Sequence, residues 1–244
     1  MRAIISPYFE AQGPLQMLYR GYFVSHYDVA KRGQQIHLGL IDAGCSTEVA
    51  SLPEGGESSL HESILSIHDA QYIDYLQSAW ANWSNMPNSS AEIFPNISPN
   101  RHINQFNQHP VALAGWYIGD AAALIGEHTW RNALGSASAV IEAAARLKSG
   151  ELAVYAFEIA YLESLNTAGN KVLEFGAEAL IVATGFDTFN SDPLGCFELE
   201  SCSYYAIGRM IRSLKLPTLF AQEGGYFVPA LRENVRQMVV GFES

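Results

Sequence analysis

The stretch that decides the fold is "EALIVATGFD", Glu178 to Asp187. An apolar run of this length, closed by Gly185, reads as a near-continuous buried strand covered on both faces, as parallel strands are. A second stretch, "LPTLFAQEGGY" (Leu216 to Tyr226), repeats the pattern and leaves through paired glycines. Between the two, "ELESCSYYAIGRMIRSL" carries its apolar residues at helical spacing, and "VPALRENVRQMVVGFE" follows as a further helix. Upstream, "RAIIS" and "ELAVYAF" read as short strands. "YDVAKRGQQIHLGLIDAG" reads as a helix from Asp28 ended by Gly44, and "EIAYLESLNTAGNKVLEFGA" as a helix interrupted near Gly169. Strands alternating with helices imply βαβ units and an α/β fold, with a mostly parallel sheet flanked by helices.

The remaining segments fit one domain over residues 1–244. "ESILSIHDAQYIDYLQSAWANW" reads as a short strand and then a helix, with Tyr72, Leu76 and Trp80 at helical spacing. Residues 82–110, rich in Asn and Pro, read as an irregular loop. "GEHTWRNALGSASAVIEAAARLKSG" reads as a helix with Thr129 as a cap candidate and a stop at Gly150.

Composition narrows the function. The chain has 244 residues, 48% hydrophobic and 16% charged, with a formal net charge of -11. No Lys/Arg run offers a footprint for a nucleic-acid backbone, while the acidic balance suits a cationic partner or ordinary solubility. Three cysteines, Cys45, Cys196 and Cys202, argue by their odd count and wide spacing against a disulfide framework or a cysteine-rich zinc site. No window reads as a membrane span and none as a signal-length apolar leader, so a reduced cytoplasmic location is expected.

Ligands of such sheets sit at the carboxyl ends of the strands. Two ends carry pointed chemistry: Gly185-Phe186-Asp187 and Gln222-Glu223-Gly224-Gly225-Tyr226. A carboxylate that can bind a metal, beside a phenol that can donate to an oxyanion, suits hydrolysis of an amide.

At these residues the sequence resembles the zinc-dependent histone deacetylase and acetylpolyamine amidohydrolase family. "GFDTFNSDPLG", "LPTLFAQEGGY" and "ALRENV" carry the resemblance. "SIHDAQYIDYLQSAW" and "GWYIGDAAALIGEHTWRNALGSASAVIEAA" are similar to the acetylpolyamine amidohydrolase branch. The resemblance implies a three-layer, arginase/deacetylase-like fold and a bound Zn2+. It also implies a small cationic N-acetylated amine as substrate, and a homodimer. It makes Asp187 a metal ligand, Tyr226 the holder of the substrate carbonyl, and Gly185, Glu223, Gly224 and Gly225 the residues that position them. Glu92 resembles a loop acid that meets the cationic amine.

The same family has a Pro-Gly-His-His segment and an Asp-x-Asp-x-His-His segment, and neither occurs here. The seven histidines, His26, His37, His61, His68, His102, His109 and His128, include no adjacent pair and all precede Gly150. Phe157 and Glu158 look like a junction joining sections that the family separates, which would truncate the middle of the sheet. A hydrolytic zinc needs about three protein ligands and an open position. Two readings follow: an amide hydrolase whose other ligands are unidentified, and a non-catalytic relative. Beside the roles above stand plainer ones. Asp187 and Asp192 read equally as turn residues, Tyr226 as a tyrosine at a sheet edge, and Glu92 as a solvated acid. Trp116 and Tyr117 read as core aromatics, His68 with Asp69 as a helix cap, and His102 and His109 as surface residues.

Overall fold

Two apolar stretches near the C-terminus form the ladder on which the site is built. A computed structural model describes residues 1–11, 13–51, 56–102, 104–150, 153–154 and 171–244. The proposed junction at 157–158 and most of the helix read from Glu158 lie outside these; of that helix, residues 171–175 are helical. The strands are β1 (Arg2–Ile5), β2 (Gln16–Tyr19), β3 (Tyr22–Ser25), β4 (Ser46–Val49), β5 (Ala153–Val154), β6 (Leu180–Thr184) and β7 (Thr218–Gln222). The helices are α1 (Ala30–Asp42), α2 (Gly56–Leu65), α3 (Ala70–Ser84), α4 (Pro110–Tyr117), α5 (Thr129–Lys148), α6 (Ser201–Ser213) and α7 (Val228–Glu243). No helix among the described residues is long and apolar enough to cross a membrane. The chain divides into two compact units.

The first unit takes Met1–Glu10, Lys31–Pro53 and Gly135–Ser244. Its sheet is wholly parallel, in the order β4-β1-β5-β7-β6. Because successive side chains in a strand point to opposite faces, neighbouring residues enter different cores. Ala3 and Phe220 face one cluster, with Leu40 of α1, Tyr204, Ile207 and Ile211 of α6, and Leu231, Val235, Met238 and Phe242 of α7. Ile4 and Leu219 face the other, with Ala139, Ala143 and Leu147 of α5. Helices thus cover both faces of the central strands. The edge strand departs from its sequence reading. Val182 is buried, but Ile181 on the opposite face is 65% exposed. The strand is therefore not covered on both faces by the described residues, whereas α5 packs on Ile4 and Leu219 of the inner strands.

The second unit takes Ala11–Ala30 and Glu54–Leu134. Its core joins Tyr75, Ala79 and Trp83 of α3 to Ile93, Ala114, Ile118 and Ile125. The strand expected at "ESILS" is a correction, since Glu62 to Leu65 lie in α2 and Ser66 follows its end. Leu60, 2% exposed, and Ile64 share a helix face four residues apart, a helical period rather than a strand's. Asp69, rather than His68, caps α3: its Oδ1 accepts the N–H groups of Gln71 at 2.9 Å and Tyr72 at 3.2 Å. Trp116 is a second correction. At 40% exposed it lies outside the core, whereas Tyr117 stacks on Tyr75 with ring centroids 4.7 Å apart.

A candidate active site at the exits of β6 and β7

The β6–β7 register runs from Leu180 opposite Thr218 to Thr184 opposite Gln222. The pairing continues past both strand ends: Glu223 N–H donates to the Thr184 carbonyl and Phe186 N–H to the Gly224 carbonyl, each at 3.2 Å. This fixes Gly185-Phe186-Asp187 beside Glu223-Gly224-Gly225. Between them lies the Asp187 carboxylate. A Cβ on Gly185 would stand 2.6 Å from its Oδ1, and one on Gly224 would stand 2.8 Å from its Cγ. The glycines are therefore the space the carboxylate occupies. Below it, Phe186 is buried with its ring edge-on to Tyr204, and the Tyr204 hydroxyl meets Thr188 Oγ1 at 3.0 Å.

Burial, and next the negative charge of Asp192, hold the Asp187 carboxyl above its ordinary range; a hydrogen bond from its own backbone N–H and the positive charge of Arg32 oppose this. An acid whose folded pKa is raised is a burden when ionised, so its penalty is fully present above that raised value and vanishes below the ordinary value of 3.8. Asp187→Asn should therefore raise the melting temperature at pH 7, and the gain should disappear as the pH falls below that range. Melting curves across pH check this; an Asn variant less stable at pH 7 would contradict it.

Asp192, 8% exposed, lies at the turn read from the sequence and does more than close it. Its Oδ1 accepts from Leu194 N–H at 2.9 Å and Gly195 N–H at 3.2 Å. Its Oδ2 accepts from Tyr226 N–H at 2.6 Å and Phe227 N–H at 3.1 Å. Sequence reasoning missed a further residue, Arg32 of α1, also 8% exposed. Its Nε donates to the Gly225 carbonyl at 2.6 Å and its Nη2 to the Glu223 carbonyl at 2.9 Å. Its guanidinium carbon also lies 4.6 Å from the centroid of the Tyr226 ring. Nothing in "AKRGQ" marks that arginine as buried.

The other residues singled out in the sequence lie elsewhere. Glu92, in the second unit, is a correction to the solvated reading, since it is 4% exposed. Its Oε1 accepts from Leu15 N–H at 2.7 Å and its Oε2 from Gln16 N–H at 3.3 Å, which ties the 90s loop to β2. Burial of an acid is tolerated because backbone donors meet both oxygens. His37 contacts Thr47 Oγ1 and the edge of the Phe9 ring, and His26 contacts the Ala122 carbonyl and Asp28 N–H. His109 caps α4, and His102 accepts from Arg101. Thr129 begins α5, and its Oγ1 accepts Gly126 N–H at 2.9 Å.

Among the described residues, no three His, Cys, Asp or Glu side chains converge in a way that could hold a metal. Each Asp192 oxygen already takes two N–H groups, and Arg32 places a positive charge near Asp187. This donor set does not fit a zinc ion held for hydrolysis.

A five-stranded parallel sheet with helices on both faces is the α/β architecture of the arginase/deacetylase fold. The comparisons agree. Residues 152–242 match the histone deacetylase domain. The chain is 22% identical over 343 residues to the acetylpolyamine amidohydrolase of Mycoplana ramosa, covering 99% of each. It is 41% identical over 81 residues to acetylpolyamine amidohydrolase 2 of Pseudomonas aeruginosa, covering 33% of this chain and 24% of that protein. The crystal structure of an acetylpolyamine aminohydrolase from Burkholderia pseudomallei superposes with a TM-score of 0.90 at 19% identity, covering 100% of this chain and 99% of the other. The chain is thus similar to acetylpolyamine amidohydrolases along its length, and its C-terminal part matches the histone deacetylase domain.

Proposed function

We propose that this chain is a deacetylase-family protein that binds a small cationic N-acetylated amine without hydrolysing it. The reading rests on one observation: among the described residues, the charges that act on Asp187 are those of Asp192 and Arg32, and no histidine is among its partners. The four histidines whose hydrogen bonds are described above have other partners, and none of the seven lies beyond His128. Without a general acid the leaving amine departs unprotonated, which forfeits about 10²–10⁴-fold in rate. Tyr226 keeps the role of donating its phenol to the substrate carbonyl, and Gly185, Glu223, Gly224 and Gly225 keep Asp187 and Tyr226 side by side. A zinc would need further ligands beside Asp187, and if held there would supply polarisation of that carbonyl. Glu92 serves the fold of the second unit rather than the amine, because backbone N–H groups already occupy its oxygens.

The missing segments fit a junction at Phe157–Glu158. In support, the Mycoplana ramosa alignment runs over 343 residues where this chain has 244, so the relative carries residues with no counterpart here. Self-association as a homodimer is supported by exposed apolar residues on the β2–β3 hairpin, Tyr22 at 75% and Phe23 at 56%. A reduced cytoplasmic setting accords with Cys45, Cys196 and Cys202 as free thiols.

The deciding measurement is zinc per chain on purified protein, together with turnover of an N-acetylated diamine against an Asp187→Ala control. The expected result is substoichiometric zinc and no Asp187-dependent rate. One zinc per chain with a rate that Asp187→Ala abolishes would establish the enzyme instead.

A further inference from the structure

We propose that Asp192 is a positioning residue that aims Tyr226 by fixing the plane of a single peptide bond. The carbonyl of Gly225 and the N–H of Tyr226 belong to the same peptide unit. Arg32 Nε holds that carbonyl at 2.6 Å, and Asp192 Oδ2 takes that N–H at 2.6 Å. A planar group gripped at both ends by opposite charges cannot rotate, and its plane sets where the tyrosine backbone points. The grip is needed because Gly225 sits at φ +111°, a backbone region open to glycine and therefore loosely constrained by its own sterics.

The chemistry of the four donors explains why position 192 carries a carboxylate. Leu194, Gly195, Tyr226 and Phe227 present four backbone N–H groups to two oxygens. Only an acceptor-only group meets them all; a carboxamide would turn an NH2 toward two of them. The same side chain thereby joins the loop after β6 to the loop after β7, so the spacing of Asp187 and Tyr226 depends on it. Three of the four bonds serve the loops, and the shortest falls on Tyr226.

The functional importance of this aim rests on the reading that Tyr226 donates to the substrate carbonyl, and the test separates the two. The full chain carries 3-fluorotyrosine, and the Tyr226 resonance is assigned by its loss in Tyr226→Phe. In Asp192→Asn and Asp192→Ala that resonance should shift and broaden, and the Tyr226 amide should lose its exchange protection. Ile211→Ala, a core change in α6, should lower the melting temperature and leave both signals in place. Should Asp192→Ala not fold, Asp192→Asn carries the comparison. An unmoved Tyr226 resonance and a protected amide in the Asp192 variant overturn the proposal. Binding of an N-acetylated diamine tests the reading beneath it. Tyr226→Phe should weaken binding about fivefold, the worth of one neutral hydrogen bond. Equal binding by that variant would sink the role of Tyr226 while the resonance still decides the role of Asp192.

Discussion

Gly225→Ala is expected to destabilise the protein by about 3–5 kcal/mol, the sum of a left-handed backbone strain and an overpacked core. The residue sits at φ +111°, where a side chain is strained whatever the space around it. The space is also missing: a Cβ there would stand 2.8 Å from Phe186 Cβ and 3.2 Å from Leu231 Cδ1. Phe186 is 1% exposed and Leu231 also 1%, so neither can move without disturbing the core. For a chain of this size the loss corresponds to a fall in melting temperature of roughly 10 °C. Thermal unfolding of the purified variant checks it, and a fall within a degree or two would show that the turn relaxes into a different shape.

The second large effect is expected at Arg32. Arg32→Met keeps the aliphatic volume and removes the guanidinium, leaving the Glu223 and Gly225 carbonyls without their charged donor. Hydrogen bonds to charged groups are worth about 1.5–3 kcal/mol each, and they do not add fully, so a loss of about 3–5 kcal/mol is expected. Arg32→Lys should recover little of it, because one ammonium on a flexible stem does not reproduce a planar fork spanning two carbonyls. Urea unfolding midpoints with unchanged slope would measure the loss. A change below about 1 kcal/mol, or full recovery by lysine, would mean that the turn holds without the fork.

Much of the sheet could be read along the chain. The apolar runs at Leu180–Thr184 and Thr218–Gln222, and the stripes of Tyr204, Ile207 and Ile211 and of Leu231, Val235 and Met238, are local periodicities that translate directly into strands and helices. Local periodicity misleads where the informative spacing extends beyond a short segment. Leu60 lies two residues before "ESILS", and the helical face it shares with Ile64 shows only when both are read together. The β2–β3 hairpin was also missed, although Arg20 and Gly21 at φ +49° and +89° make the tight two-residue turn its flanking residues call for.

The resemblance to acetylpolyamine amidohydrolases, the candidate pair Asp187 and Tyr226, and the lack of paired histidines are all legible in the chain, because each depends on which residues stand in which order. Only the tertiary structure decided that Gly185 and Gly224 frame the Asp187 carboxylate, that Glu92 is buried against β2, and that Arg32 and Asp192 hold one peptide between them. Arg32 and Gly225 are separated by 193 positions along the chain, and no local pattern encodes a hydrogen bond across that interval. Such contacts arise from the packing of α1 and the β6 and β7 exits, where unpaired backbone groups select whichever charged side chain the fold brings within reach.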